Sequence, residues 1–158
     1  MNMEKPKIKL LIEEAAEVID LENIDFRKII NLYHEYLIFL SNDKYFNLLF
    51  NKREVLFFSK ILNIIIIKSK EDFLDFFMKN KKNQLWRLHG KFPKKNKCLI
   101  RLLITAMATE DSILDGNEDR EYLNFDMLSL IIITLREVDI FYVKNFIEFI
   151  KSIKNRTV

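Results

Sequence analysis

The stretch Asn51–Lys68 reads NKREVLFFSKILNIIIIK, and its last third decides the fold class. Ile64-Ile65-Ile66-Ile67 is a β-branched run that fits a buried strand as well as a buried helical turn. The residues around it break the tie. Ser59, Lys60 and Asn63 gather in one narrow arc of a helical wheel, and nearly everything else past the first turn is apolar. Asn51 stands where a helix N-cap belongs. The expectation is a single helix over 52–68, apolar on most of its circumference and therefore central in a bundle. Leu130–Ile133 poses the same question and resolves the same way, because its surroundings are also helical.

Outward from this stretch the helical period continues. Ile8, Leu11, Ile12 and Ala15 share one face of a first helix, with Glu13, Glu14 and Glu17 turned outward. Asp25 caps a second, whose stripe is Ile29, Ile30, Tyr33, Tyr36, Leu37 and Leu40. Ser41-Asn42 marks a break before a short helix through Phe50. Ser69-Lys70-Glu71-Asp72 resembles a capping box ahead of Phe73, Phe76 and Phe77.

Further on, Leu99 to about Thr109 reads as helix, with Ala106 and Ala108 small enough for close packing and Gly116 a natural stop. Asn124 or Asp126 starts another through Leu135, and Asp139 caps the last, which ends near Lys154. The apolar positions of that last helix, Ile140 to Ile153, cover about half its circumference. A face so wide calls for two neighbours, either two helices or one helix and a second copy of the chain in a homodimer. Only two Gly and two Pro leave little turn chemistry for a multi-stranded sheet. The fold expected is all-α, one domain over 1–158, a bundle of about seven helices.

Charge is distributed unevenly. Between Asp75 and Glu110 there is no acidic residue, whereas Lys79, Lys81, Lys82, Arg87, Lys91, Lys94, Lys95, Lys97 and Arg101 are all basic. The net charge of +3 therefore hides a strongly positive segment on a body whose remaining 17 basic and 23 acidic residues sum to −6. A concentrated field of one sign attracts partners of the other. Trp86, His89 and Phe92 interleave with these cations. Cations meet phosphates and aromatic rings stack on unpaired bases, so a nucleic acid is one class of partner. An acidic protein face is the other. Gly90 and Pro93 fall inside the segment, so about 79–98 is expected to be largely loop.

A second block is acidic. Glu110, Asp111, Asp115, Glu118, Asp119, Glu121 and Asp126 are relieved by Arg120 alone. Setting Gly116 at the invariant glycine of a calcium loop puts Ile113 at a ligand position and Tyr122 where a bidentate Glu is required, which excludes an EF-hand. No metal site or cofactor is expected.

Catalytic residues are scarce. His34 and His89 are the only histidines, and no nucleophile elbow, phosphate loop or zinc-ligand spacing is present. Arg27 and His34 lie seven apart, hence on one helix face. This pair resembles the loose Arg-x(4–6)-His pattern of HEPN-type ribonucleases, which are also small and helical. The resemblance covers two residues. It departs from the family at Lys28, where a polar Asn, Asp or His is usual, and in lying early in the chain. It implies a ribonuclease with Arg27 and His34 in one cleft.

Cys98 is the single cysteine, so no internal disulfide forms, and a lone thiol fits a reducing compartment. Cys98 itself is expected to be a small buried hydrophobe. The first residues lack the apolar core of a signal peptide. Charge-free apolar runs such as Met127–Leu135 fall short of the ~20 residues that span a bilayer. A cytoplasmic protein with no membrane partner and no small-molecule substrate is the expectation. Its leading role is a non-enzymatic accessory, regulatory or inhibitory factor that binds an acidic or nucleic-acid-associated protein through 79–101. Direct RNA or DNA binding by the same residues is the alternative, and the ribonuclease is the second alternative.

Overall fold

A computed structural model describes residues 4–70 and 74–156, with side chains for 7–70 and 79–155. In chain order the elements are α1 (Glu4–Ile19), a 3-10 turn (Leu21–Asn23), α2 (Phe26–Ser41), α3 (Lys44–Asn47), α4 (Lys52–Lys68), α5 (Leu74–His89), a second 3-10 turn (Lys94–Asn96), α6 (Lys97–Ala106), α7 (Glu110–Leu114), α8 (Leu123–Val138) and α9 (Ile140–Arg156). The described residues contain no strand, and the protein is all-α. Among the described residues there are nine helices, where about seven were expected. One of the additional helices is the single turn α7, which exists because Thr109 and Ser112 form a reciprocal capping box. That box also ends α6 at Ala106 rather than at Thr109.

Contacts divide the chain into two compact units. One comprises the residues up to Leu32 together with those from Thr109 onward; the other is Tyr33–Ala108. In the first, α1, α8 and α9 each pack against the other two. Ile8, Leu11, Ile12 and Ala15 are buried on α1, as their spacing requires, and Glu13, Glu14 and Glu17 are exposed. Tyr142, Val143, Phe146, Ile147 and Ile150 are buried on α9. The breadth of that apolar face thus has two partners within the unit, α1 and α8.

Polar groups pin the same unit. The Asp139 carboxylate accepts the Phe141 backbone N–H at 2.8 Å and starts α9. Asn124 donates its side-chain amide to the Ile24 carbonyl at 2.8 Å, and Lys154 donates to the Val18 carbonyl near the end of α1 at 2.9 Å. Lys151 lies 3.3 Å from Glu14 and 3.4 Å from Glu148, and its hydrogen bond to Glu14 is the main reason its ammonium titrates above the ordinary lysine value. After α7 the backbone turns left-handed at Asp115 (φ 48°) and Gly116 (φ 82°). A Cβ at Gly116 would meet nothing within 4 Å, so the glycine serves the dihedral rather than space. Gly116→Ala is expected to lower stability by about 1 kcal/mol, the left-handed strain partly offset by a stiffer unfolded chain. An unchanged midpoint in urea denaturation would show that the dihedral is not held.

In the second unit α4, α5 and α6 are the mutually packed helices. The N-cap expected at Asn51 is present and extends to a full capping box: its Oδ1 accepts the Glu54 N–H at 2.8 Å and its own N–H donates to Glu54 Oε1 at 3.1 Å. The quoted Ile64–Ile67 run is the end of that helix. It is not central throughout, however. Phe58, Ile61, Leu62 and Ile65 are buried, while Leu56, Lys60, Asn63 and Ile67 form a stripe open to solvent. Apolar composition therefore overstated the helix's burial. Ser69 closes α4, its hydroxyl donating to the Ile66 carbonyl at 2.6 Å. The capping role expected to open the next helix at Glu71, Asp72 and Phe73 lies outside the described residues.

The largest correction concerns 79–98. Lys79–His89 is not loop but the C-terminal part of α5. Lys, Gln, Leu and Arg are good helix formers, and no Gly or Pro falls between Leu74 and His89. Leu85, buried, and Leu88, half-buried one turn on, supply the packing face. Gly90 and Pro93 act only beyond that end, where the Leu88 carbonyl accepts from both Lys91 N–H (2.9 Å) and Phe92 N–H (3.2 Å).

Candidate interaction surface on the α5–α6 pair

Helical geometry sorts the basic segment into outward and inward cations. On α5, Leu85 takes the core position, which turns Lys79, Trp86 and Arg87 to solvent and leaves Lys81 and Lys82 half-buried at the edges of the packing face. Partial burial pushes the Lys82 ammonium down from the ordinary lysine range. The connector exposes Lys91, Lys94 and Lys95, and Lys97 is half-buried at the start of α6. Among the described residues, none of these eight cations is paired with a carboxylate. The positive field read from the sequence is therefore presented to solvent without internal neutralisation by described groups.

Arg101, the ninth, is used internally. Its Nε donates to His89 Nε2 at 3.0 Å, joining α6 to the end of α5. A guanidinium only donates, so His89 Nε2 must accept and the ring proton sits on Nδ1. The imidazole in turn meets Trp86 edge-on, centroids 5.3 Å apart, and Trp86 keeps half of its surface exposed. Phe92 is half-buried against Phe57 of α4 at 6.0 Å. Of the three aromatic residues interleaved with the cations, Trp86 keeps the most surface open to solvent.

A polar bond that no local pattern announces fixes the connector. Asn96, buried, donates Nδ2 to Glu54 Oε2 at 2.7 Å. The buried Glu54 carboxylate thus holds the Asn51 cap with one oxygen and the start of α6 with the other. The visible clue was Glu54 at the third helical position of a capping box. Its second partner lies 42 residues away. Cys98, placed in the core by sequence, is half-buried instead, with its thiol 3.6 Å from the Lys95 carbonyl.

Arg27 and His34 differ in their exposure. Arg27 is exposed, in the first unit. His34, in the second, is buried, and its Nε2 lies 2.7 Å from the Ala106 carbonyl at the end of α6. Its neighbour Tyr33 donates to the Leu102 carbonyl at 2.8 Å, and burial, then Tyr36, raises its phenol well above the ordinary range. Side by side on α2, the two rings bind carbonyls one turn apart near the C-terminal end of α6, where donors are favoured. His34 thereby ties α2 to the end of α6.

The acidic block contributes an exposed ion pair, Arg120 to Glu110 at 2.6 Å. No group of three or more metal-ligating side chains occurs among the described residues, and no helix among them is long and apolar enough to cross a membrane. Comparison with protein-family models, curated proteins and solved structures found no match.

Proposed function

We propose that this chain is a non-enzymatic interaction protein whose α5–α6 pair binds an acidic face of another protein. The observation that carries the reading is the set of cations on α5 and its connector, Lys79, Arg87, Lys91, Lys94 and Lys95, exposed and unpaired with any described carboxylate. A folded frame holds them: Leu85 seats α5, Phe92 rests on Phe57, and Asn96 is tied to Glu54. Such a surface recognises charge density and loses little entropy on binding. A protein partner is preferred to single-stranded nucleic acid because Phe92 and His89 are occupied by Phe57 and Arg101, which leaves Trp86 the most exposed ring of the three.

Direct nucleic-acid binding is the second reading, favoured by exposed Trp86 beside Arg87. The chain's sole tryptophan allows both to be tested on one signal. Poly-glutamate and a single-stranded oligonucleotide are titrated at several salt concentrations while Trp86 fluorescence is followed. Poly-glutamate is expected to bind, and the variant Arg87→Glu/Lys91→Glu/Lys94→Glu/Lys95→Glu to weaken it by about tenfold or more. Tighter oligonucleotide binding with a steep salt slope would transfer the surface to nucleic acid. Silence with both probes would remove the proposal.

A further inference from the structure

The second unit carries an apolar tip. Between α2 and α4 the chain makes one short helix, and the Asp43 carboxylate caps it by accepting the Phe46 N–H at 2.9 Å. Phe46 turns inward, 1% exposed, with its ring 5.2 Å from Phe50 and 5.7 Å from Phe58. With Phe46 inward, residues on the opposite side of the turn face out. Tyr45 and Leu48 keep 75% and 72% of their surfaces exposed, and Leu49 keeps 49%. Scattered exposed leucines need no explanation, but three large apolar side chains within five residues mark a contact site.

Cations flank this turn in the chain. Lys44 opens the short helix and Lys52 and Arg53 open α4, all three exposed and without a carboxylate partner among the described residues. Asp43 and Glu54, the acids that bracket the stretch, are both engaged, one as a cap and the other buried between Asn51 and Asn96. The Glu54–Asn96 bond also ties the connector to the first turn of α4, with Lys95 and Lys97 next to Asn96 in the chain and Arg53 next to Glu54. The basic connector is thus bound to the end of α4 that directly follows the apolar turn.

We infer that this end of the unit docks on an anionic membrane surface, with Tyr45, Leu48 and Leu49 entering the interfacial region and the flanking cations facing the headgroups. Exposures of 72–75% describe a protrusion rather than the wall of a groove. A protrusion bound by a protein needs a matching cavity, whereas a fluid interface needs none. Tyrosine suits the headgroup level, where its ring is apolar and its hydroxyl wet. Leucine at the tip with flanking Lys and Arg is the composition of peripheral interfacial binders, whose attachment combines apolar burial with attraction to acidic lipid. This attachment does not require a spanning helix.

Co-sedimentation with vesicles tests the inference. The full chain is expected to pellet with phosphatidylcholine vesicles containing phosphatidylserine, and about tenfold more weakly with phosphatidylcholine alone or at raised salt. Tyr45→Ser/Leu48→Ser should cut pelleting by about tenfold or more. Both side chains are solvent-exposed, so helicity and unfolding midpoint should stay put and show the variant folded. The same variant is expected to keep its affinity for poly-glutamate, so this inference and the function proposed above fail separately. Absence of pelleting with the acidic vesicles would overturn it, as would pelleting indifferent to the double substitution. Light scattering that shows a dimer of the wild-type chain dissociated by Tyr45→Ser/Leu48→Ser would assign the tip to a second copy and overturn it too.

Discussion

Phe46→Ala is expected to destabilise the Tyr33–Ala108 unit by about 3–5 kcal/mol, the usual loss for truncating a buried phenylalanine. The ring is 1% exposed and sits between Phe50 and Phe58, so its removal leaves a cavity as well as lost transfer energy. Neighbours cannot easily collapse into that space, because Asp43 caps the helix on one side and the Asn51 box starts α4 on the other. Domains are stable by only about 5–15 kcal/mol, so the loss is a large fraction of the total. Urea unfolding followed by circular dichroism measures it. Phe46→Leu should cost visibly less, since it keeps more of the volume. A Phe46→Ala midpoint equal to the wild type would mean that the short helix is not seated on α4, and the outward posture of Tyr45 and Leu48 would lose its cause.

Glu54→Ala is expected to cost about 3 kcal/mol. Its carboxylate is 6% exposed and accepts two hydrogen bonds, from Asn51 N–H at 3.1 Å and Asn96 Nδ2 at 2.7 Å. Removing it opens the cap, worth about 1 kcal/mol. It also strands the buried Asn96 amide, at about 1–3 kcal/mol. Glu54→Gln should fall between, because its one amide oxygen replaces only one of the two carboxylate acceptors. The decisive measurement is a double-mutant cycle with Asn96→Ala. Coupling of about 1 kcal/mol or more is expected for groups in direct contact. Additive losses would place the two side chains apart and detach the basic connector from the end of α4.

Helix identity was legible wherever its determinants are local. The Asn51 cap, the Asp139 cap, the break at Ser41-Asn42 and the buried stripes of α1, α2 and α9 all rest on residues within a turn or two of one another. Within 79–98 only Lys79–His89 departs from the expected loop, because the uninterrupted helix formers there outweigh charge density and the Gly90 and Pro93 beyond them. A high density of lysine does not oppose a helix when Leu85 and Leu88 still supply a face to bury. The α4 reading failed in the opposite way. Leu56 and Ile67 are apolar yet exposed, since a wheel states which residues share a face and not how many faces are covered.

The candidate surface was half legible. Which residues are basic is a property of the chain, and their contrast with the acidic remainder needed no coordinates. Which of them face solvent unpaired required the helix phase set by Leu85. Arg101 and His89, Phe92 and Phe57, and Glu54 and Asn96 changed meaning once paired: three candidate contact residues became the scaffold that presents the others. His34 gained a partner that its own stretch does not announce, the Ala106 carbonyl.

By itself the sequence settled the all-α class, the helix starts at Asn51 and Asp139, and the sign and location of the charge, because periodicity, capping and ionisation act over a few residues. Tertiary structure alone decided that the basic connector is tied to the first turn of α4, and that Tyr33 and His34 bind near the end of α6. Those facts depend on bonds between residues 42, 69 and 72 positions apart. Contacts across such separations form only when the chain folds back on itself, and the loop between them carries no trace of which groups will meet.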